Sequence, residues 1–440
     1  MTQPTDAKRS LAAELTSTTV ATAVIMAAGI VTGLLAARAL GPAGRGELTA
    51  STIWPSTLLY AGTFGLSEAT AYFTASRRDL ADHVFLTAQV MALVLGVVVS
   101  VVGWFVLPLV LAHHPPALQA NARLYLLLFA VPCLSSLSAC AWLQGAGHLR
   151  WFNISRVMVH ATTAVAMAAI FLSGLASVRT FLGAMLLGNS ATWILAVVAC
   201  VLHRRRPASV DPALVPQLFS YGSRVQLGSW SAAANVRLDQ LMLASMATSA
   251  PLGLYVVAIS YAGLVVAFPN AAAMVMLPRV VGDCAIGRGG ETLTTWYRRL
   301  LWATVAAGLT LWIVARVLLP LLFGEAFRAS LPLVTILIPA SCILGMNQLL
   351  ATGFRGHGRP GTASRAELLG LVVTVPLLLV LLPRFGVYGA AVTSLCAYSS
   401  SAVYLLMNTR SIASDLRSFL IPTTADWLLI RGLARSFVFA

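Results

Sequence analysis

Charged residues are scarce in this sequence, at 10% of 440 residues, whereas 58% of the residues are hydrophobic. A soluble globular domain carries roughly 25% charged residues, so the scarcity excludes an ordinary soluble fold. The apolar residues occur in blocks of about 20, the length that a helix needs to cross a hydrocarbon core of roughly 30 Å. The period-two alternation that is typical of membrane strands is absent. The sequence therefore predicts an all-α polytopic membrane protein.

We predict about 12 transmembrane helices from these apolar blocks. The first block has no small-residue cleavage pattern after a short core, so we interpret it as a retained span and not as a signal peptide. The predicted spans lie near residues 15–38, 48–75, 84–111, 123–146, 155–177, 179–202, 223–248, 252–278, 300–323, 331–353, 365–383 and 387–408.

Lysine is nearly absent as well, because Lys8 is the only lysine among the 29 basic residues. With the N-terminus in the cytoplasm, the cytoplasmic segments carry roughly three times as many basic residues as the outer loops, as the positive-inside rule requires. We therefore predict a bacterial inner-membrane protein with both termini in the cytoplasm. The basic residues form no single groove, so no nucleic-acid partner is expected. The predicted cytoplasmic set includes Arg77, Arg78, Arg150, Arg156, Arg204, Arg205, Arg206 and Arg359, and the outer set includes Arg38, Arg45 and Arg328.

Metal and nucleotide motifs are also missing. None of the six cysteines shows CxxC spacing, and no His/Cys cluster has the spacing of metal ligands. The sequence has no P-loop, no Rossmann glycine pattern and no nucleophile elbow. We therefore expect no cofactor and no resident metal, and the sequence gives little support to an ATP-driven pump or a membrane-embedded hydrolase.

What the chain does contain is an internal repeat. Gly46 matches Gly253 and Pro132 matches Pro339 at the same offset, and further landmarks follow in chain order. Six spans per half give both halves the same orientation, which predicts two six-helix parallel repeats with a substrate site between them. The predicted organisation is a cytoplasmic N-terminus at 1–14, a first lobe at 15–202, a cytoplasmic linker at 203–222, a second lobe at 223–408 and a cytoplasmic tail at 409–440 that is interfacial at most.

The seventh predicted span is unusually polar. It contains Gln226, Asn235, Arg237 and Asp239, and ionisable groups at membrane depth are candidates for function. Asn235 and Asp239 are four residues apart and share a helix face, whereas Arg237 points elsewhere. This pattern favours a substrate-binding role in a wet cavity, and the alternative is a fixed ion pair that holds helices together.

Four further residues are candidates for the cavity. Glu68 lies well inside the second predicted span, and Gln144 adds hydrogen-bonding capacity near the end of the fourth. Arg38 and Arg45 lie on either side of the outer turn between the first two spans. The alternative for each is that its side chain only extends to the lipid headgroups and has no other role.

Two runs carry a family resemblance. The run from Ala37 to Leu48, ARALGPAGRGEL, resembles a signature of the polysaccharide export flippases of the multidrug/oligosaccharidyl-lipid/polysaccharide (MOP) exporter superfamily. The run VRLDQ at 236–240, followed by LGLYVVA at 252–258, resembles its counterpart in the second half. The resemblance extends over residues 10–408.

The resemblance implies a MATE-like fold in which two six-helix lobes form a V-shaped central cavity. It also implies a substrate, undecaprenyl-diphosphate-linked oligosaccharide, that is carried from the inner to the outer leaflet for cell-surface polysaccharide assembly. Cationic cavity residues hold the pyrophosphate in related flippases, and Arg38 and Asp239 match family positions here. Membrane lipids, a polysaccharide polymerase and glycosyltransferases are the partners it suggests.

Two other functions stay open at this point. A cation-coupled exporter of drugs or metabolites from the same superfamily would favour a carboxylate in the first-half cavity, and Glu68 meets that description. A membrane polysaccharide polymerase or glycosyl-transfer enzyme would need large outer loops with clustered catalytic residues, whereas the outer loops predicted here are short.

Overall fold

The computed structural model describes residues 4–204, 206–412 and 417–421, with side chains from residue 16 onward except those of 228, 229, 231–233 and 411. Most of the tail predicted at 409–440 and the side chains of the N-terminus predicted at 1–14 lie outside these residues. Within them the chain is helical, with no strand. The helices are α1 Pro4–Gly62, α2 Leu66–Ser76, α3 Ala81–Val110, α4 Pro116–Gly145, α5 Leu149–Leu172, α6 Val178–His203, α7 Leu214–Met246, α8 Ser249–Ala262, α9 Leu264–Cys284, α10 Gly289–Phe323, α11 Leu331–Gly356, α12 Pro360–Asn408 and α13 Arg417–Leu420.

Nine helices in the described part are long and apolar enough to cross a membrane. Their outer faces are apolar: on α3, Val90, Leu93, Val94 and Val97 are each about half exposed. Apolar surface of this extent is stable against lipid tails and not against water. The prediction of a multi-pass helical membrane protein is confirmed.

The count of twelve spans stays a prediction, and two of the long helices contain a break. α1 and α12 each contain one non-helical residue, Gly41 at φ 64° and Gly386 at φ 54°. Glycine adopts this positive φ without the clash that a Cβ would cause. The polar helix α7 begins at Leu214, inside the linker that was predicted at 203–222.

Two predicted spans are interrupted. The span predicted at 48–75 breaks between α1 and α2, where Phe64 and Gly65 have φ of 45° and 65° and cannot continue a right-handed helix. The span predicted at 252–278 is divided at Gly263 into α8 and α9.

The chain divides into two compact units. The first comprises Met1–Trp230 and Gln240–Gly253, and the second comprises Ser231–Asp239 and Leu254–Ala440. The predicted lobe boundaries, the parallel repeat and the V-shaped cavity stay predictions.

The first unit is built around α4, which packs on α1, α2, α3, α5 and α6. Phe85 and Trp142 form one buried cluster at this centre, and Tyr125 and Phe181 form another.

Glycines allow two close helix contacts in the first unit. Gly46 lies against Gly253, so that a Cβ on either glycine would overlap a backbone carbonyl of the other segment. Gly65 and Gly222 meet in the same way. The two glycines that the repeat pairs with each other are therefore in direct contact.

In the second unit, α11 packs on α9, α10 and α12. Its core contains Met276, Tyr297, Phe354 and, from the short helix α13, Phe419.

Candidate functional site

A cavity of about 850 Å³ lies within the first unit. Its walls come from α1, α2, α4, α5, α6 and the start of α7, and its lining is mainly apolar. The polar groups set into this lining include Glu68, Gln144, Arg156, His160, Asn189 and Thr192, with several further hydroxyls. Apolar walls with a small number of convergent polar groups are typical of a ligand-binding site.

Arg156 supplies the positive charge of this cavity. The sequence analysis counted it with Arg150 in the predicted cytoplasmic set, and the structure places both residues in α5, which begins at Leu149. Arg156 therefore lies about 10 Å along the helix from its first residue. Its guanidinium sits 5.3 Å from the ring centre of Phe152, a distance at which a cation is attracted to an aromatic face.

His160 lies one turn beyond Arg156 and lines the same cavity. The sequence analysis missed this residue. The four-residue spacing of Arg156 and His160 in an apolar helix was the signal that could have found both, because residues at this spacing share a helix face.

Two of the eight predicted site residues, Glu68 and Gln144, line this cavity. Glu68 is exposed to it and accepts a hydrogen bond of 2.8 Å from the Ser67 hydroxyl. Among the described lining residues, Glu68 is the only carboxylate and Arg156 the only guanidinium. The cavity therefore presents one anionic and one cationic group beside neutral amides and hydroxyls.

Three other predicted residues lie in the first unit but do not line this cavity. Gln226 is 6% exposed and donates a 2.7 Å hydrogen bond to the Tyr60 carbonyl, which ties α7 to α1. Arg38 and Arg45 lie on either side of the break at Gly41. Arg38 is exposed, whereas Arg45 is half-buried and its Nε has no hydrogen-bond partner.

The remaining three candidates belong to the second unit. Asp239 is 4% exposed and accepts hydrogen bonds from the Tyr255 hydroxyl at 2.6 Å and the Ser394 hydroxyl at 3.2 Å. Asn235 accepts one from the Thr374 hydroxyl at 3.1 Å. The shared face predicted for Asn235 and Asp239 thus contacts α12 at two points.

Arg237 is exposed and is not part of this arrangement with α12. Asn235 also lines a small cavity of about 80 Å³ in the second unit, together with Asn347, Gln348 and Glu367. This volume is far below that of an ordinary ligand site. The structure therefore separates the polar residues of the seventh predicted span and does not gather them into one large cavity.

Comparison with known proteins identifies the family. The model of the family described as "Polysaccharide biosynthesis protein" matches residues 11–281. The chain is also similar to a solved structure of the lipid II flippase MurJ in an inward closed conformation. That likeness has 13% identity, covers 89% of this chain and 87% of the other, and has a TM-score of 0.74.

Two structures of a multidrug resistance MATE family transporter of the MOP superfamily are similar as well. The inward-facing one has 16% identity over 90% of this chain and 98% of the other, with a TM-score of 0.66. The outward-facing one has 15% identity over 91% and 96%, with a TM-score of 0.57. At such identities the likeness establishes the fold alone. No curated protein matches the chain.

The family model covers more than half of the chain and includes the ARALGPAGRGEL run on which the resemblance was based. The prediction of the family is therefore confirmed, and the chain belongs to the polysaccharide biosynthesis protein family.

Proposed function

We propose that this protein is a flippase that moves an undecaprenyl-diphosphate-linked oligosaccharide from the inner to the outer leaflet of the bacterial inner membrane. The observation that carries this proposal is the cavity of about 850 Å³ in the first unit, with Arg156 set into an apolar wall. The family and the flippase and transporter folds support a substrate of this class.

The chemistry of the cavity fits the three parts of such a substrate. The guanidinium of Arg156 presents a planar fork of N–H donors that matches phosphate oxygens. His160 adds a donor one turn away, while Gln144 and Asn189 can bond sugar hydroxyls. The lipid tail needs no polar partner and stays in the bilayer.

The transport step is alternating access. A carrier changes state only if its substrate binds the two states with different affinity. Exposure of the cavity to one leaflet and then to the other would move the diphosphate without placing it in hydrocarbon. In the predicted topology both termini are cytoplasmic, and glycosyltransferases would supply the substrate on that side while a polymerase would consume it outside.

Arg156 is tested by comparison with Arg150 on the same helix. Proteoliposomes containing a fluorescent diphosphate-linked oligosaccharide lipid report flipping as the fraction that an impermeant quencher reaches over time. Arg156→Ala removes charge-assisted hydrogen bonds worth about 1.5–3 kcal/mol, so we expect flipping to slow by about tenfold or more. Arg150→Ala removes the same charge outside the cavity and should flip like the wild type.

Arg156→Lys completes the series. It keeps the charge but loses the planar fork, so its rate should fall between those of the wild type and Arg156→Ala. Equal rates for Arg156→Ala and Arg150→Ala would rule out this cavity as the diphosphate site.

A second candidate function is a cation-coupled exporter of drugs or metabolites, and Glu68 favours it. Glu68 is the carboxylate of the cavity, and a carboxylate can exchange a proton or sodium ion during transport. Under this reading Glu68→Gln abolishes export of a cationic dye, and the dye slows flipping in wild-type proteoliposomes. Under the flippase reading the dye is neither exported nor inhibitory. A polymerase is the least supported alternative, because the family and the fold do not point to an enzyme.

A further inference from the structure

An aromatic cluster lies at the edge of the large cavity in the first unit and has no role in the proposal above. Tyr72 and Phe73 of α2 contact Tyr221 of α7. The rings of Tyr72 and Tyr221 are stacked, with their centres 4.4 Å apart and their planes 12° from parallel. Tyr221 also lines the cavity of about 850 Å³. The stacked pair therefore adjoins the cavity wall.

One face of the Tyr72 ring is left open by this cluster. The Phe73 ring meets both tyrosines edge-on, with its centre 5.3 Å from that of Tyr72 and 5.8 Å from that of Tyr221. These nearly equal distances place Phe73 beside the stacked pair and not over the outer face of Tyr72. Phe73 is buried, whereas Tyr72 is 48% exposed. The exposed part of Tyr72 therefore includes the ring face opposite Tyr221.

Tyr72 lies on the side of α2 that faces the cavity. Glu68 and Tyr72 are both exposed, and their four-residue spacing puts them on one face of the helix. Glu68 lines the cavity, and a carboxylate on a lipid-facing surface at membrane depth would be costly. The rest of this helix is largely buried, at Leu66, Ala69, Thr70, Phe73 and Thr74. Tyr72 therefore continues the cavity lining from Glu68 toward the end of α2.

The contact between α2 and α7 is held at several points. Besides the close glycine contact at the start of α2, the Arg77 guanidinium donates a 2.9 Å hydrogen bond to the side-chain oxygen of Gln217. The segment that precedes α7 is attached to α3, because the Arg206 N–H donates a 3.0 Å hydrogen bond to the Asp82 carboxylate. The stacked rings are thus preorganised, which lowers the entropic cost of binding a ligand on them.

The aromatic cluster lies nearer to the membrane surface than Arg156 does. α2 and α4 end on the same side, because a Cβ on Gly145 would overlap the Ala71 carbonyl. Tyr72 is four residues, or about 6 Å, from the end of α2, whereas Arg156 is about 10 Å into α5, which starts just after α4 ends. A substrate with its diphosphate at Arg156 would therefore place the next group, its saccharide, beside Tyr72.

A flat aromatic face beside hydrogen-bonding groups suits a sugar ring. A pyranose of the glucose type carries its hydroxyls around the ring edge, and its C–H groups point toward the two ring faces. Such an apolar face packs on an aromatic ring while the hydroxyls bond to polar neighbours. Glu68 accepts hydrogen bonds through its carboxylate, and Gln144 both accepts and donates. The open face of Tyr72 and these two side chains together match the chemistry of a pyranose.

We propose that Tyr72 is the stacking surface for a pyranose ring of the transported oligosaccharide, with Tyr221 and Phe73 supporting its ring. This role rests on the proposed function, in which Arg156 holds the diphosphate of the same substrate. It gives the protein a contact with the saccharide itself. Substrates that differ only in their sugars are then bound with different affinity.

The test measures equilibrium binding of two lipids to the full-length protein in detergent. One is undecaprenyl diphosphate, and the other is undecaprenyl diphosphate that carries cellobiose. Tyr72→Leu keeps an apolar side chain but loses the flat ring, so we expect its affinity for the cellobiose lipid to fall by about fivefold. Its affinity for the sugar-free lipid should stay at the wild-type value. Tyr72→Phe keeps the ring and should bind both lipids like the wild type.

Two further variants separate this proposal from the proposed function. Arg156→Ala should weaken binding of both lipids, because it acts on the diphosphate. If it weakens neither, the proposed function fails, while the Tyr72 variants still report on the sugar. Tyr388→Leu is a matched control, because Tyr388 lies in the second unit and is exposed to a similar extent, 43%; it should bind both lipids like the wild type.

Tyr72→Trp gives a second measurement that does not depend on losing the ring. Its tryptophan emission, taken as the difference from the wild type, should shift when the cellobiose lipid binds and not when the sugar-free lipid binds. An unshifted emission with the cellobiose lipid would overturn the proposal. So would a wild-type affinity of Tyr72→Leu for the cellobiose lipid, or an equal loss for both lipids, which is the result expected if Tyr72 only anchors α2 at the membrane surface.

Discussion

The carboxylate of Asp239 is held by two hydroxyl groups, and replacing it should destabilise the second unit in a specific way. The single hydrogen of the Ser394 hydroxyl can go to Asp239 or to the Ala390 carbonyl, each 3.2 Å away, so Ser394 keeps an acceptor when the carboxylate is removed. Tyr255 is fully buried and donates its hydroxyl to Asp239, and it also contacts the Ser394 hydroxyl. Asp239→Ala therefore removes the carboxylate that accepts from the Tyr255 hydroxyl and leaves Ser394 as its remaining contact.

The loss of stability in Asp239→Ala can be related to the interaction between Asp239 and Tyr255. A buried hydroxyl without a partner costs about 1–3 kcal/mol, and this range is the upper bound for the Tyr255 hydroxyl in Asp239→Ala because Ser394 stays beside it. Hydrogen bonds between membrane helices average about 0.6 kcal/mol in double-mutant cycles and reach about 1.7. The bond from Tyr255 ends on a carboxylate, so we expect a coupling energy near the upper value. The double variant with Tyr255→Phe should thus be more stable than the sum of the single effects implies.

The assay is reversible unfolding in mixed micelles, followed by tryptophan fluorescence. Tyr261→Phe is a matched control, because Tyr261 is another fully buried tyrosine of α8 and donates to the Leu311 carbonyl instead. It should show no coupling with Asp239→Ala. A Tyr255 coupling below about 0.3 kcal/mol, or one equal to that of Tyr261, would refute the reasoning.

A conservative change of Asp239 distinguishes the two roles considered for the polar seventh span, substrate binding and a fixed interaction that holds helices together. Asp239→Asn keeps an oxygen that can accept from Tyr255, so we expect it to fold and to flip substrate within about threefold of the wild-type rate. Loss of flipping in a stable Asp239→Asn protein would instead give the carboxylate a part in transport.

Three further predictions concern the backbone and the topology. Gly46→Ala should lower the melting temperature strongly because its Cβ would overlap a backbone carbonyl of α8, whereas Gly33→Ala, with open space around it, should not. Gly41→Ala should cost about 1–3 kcal/mol in the free energy of unfolding, since an L-residue is strained at φ 64°. In a background without native cysteines, Arg359→Cys should react with an impermeant thiol reagent only from the cytoplasm and Arg328→Cys only from outside; the reverse pattern would overturn the predicted topology.

Apolar blocks predicted the positions of most helices because the bilayer sets a minimum length for each. The spans predicted at 84–111 and 179–202 correspond closely to α3 and α6. The starts of α5, α7 and α10 were placed too late, the last at 300 instead of Gly289. Hydropathy reports the depth of a residue in the bilayer, whereas a helix continues beyond the hydrocarbon into the headgroup layer with a polar sequence.

Arg156 was missed because it was counted among the cytoplasmic arginines, although it lies just inside the span predicted at 155–177 and within α5. Glu68 and Gln144 were found because a polar group inside an apolar block is conspicuous in the sequence. The partners of Asp239 were not predictable: Tyr255 and Ser394 are 16 and 155 residues away, and only packing brings them together.

The contacts of the segment between α6 and α7 determine how readily a protease cuts it. Besides the bond between Asp82 and Arg206, His83 contacts the Ser209 carbonyl at 2.9 Å, and the Asp211 N–H donates to Thr87 at 3.0 Å. A protease cuts a segment only after it has detached and become extended. Although this connection is the longest non-helical stretch between two helices in the described residues, it should resist a broad-specificity protease in the folded protein. Limited digestion is therefore expected to leave the connection between α6 and α7 intact.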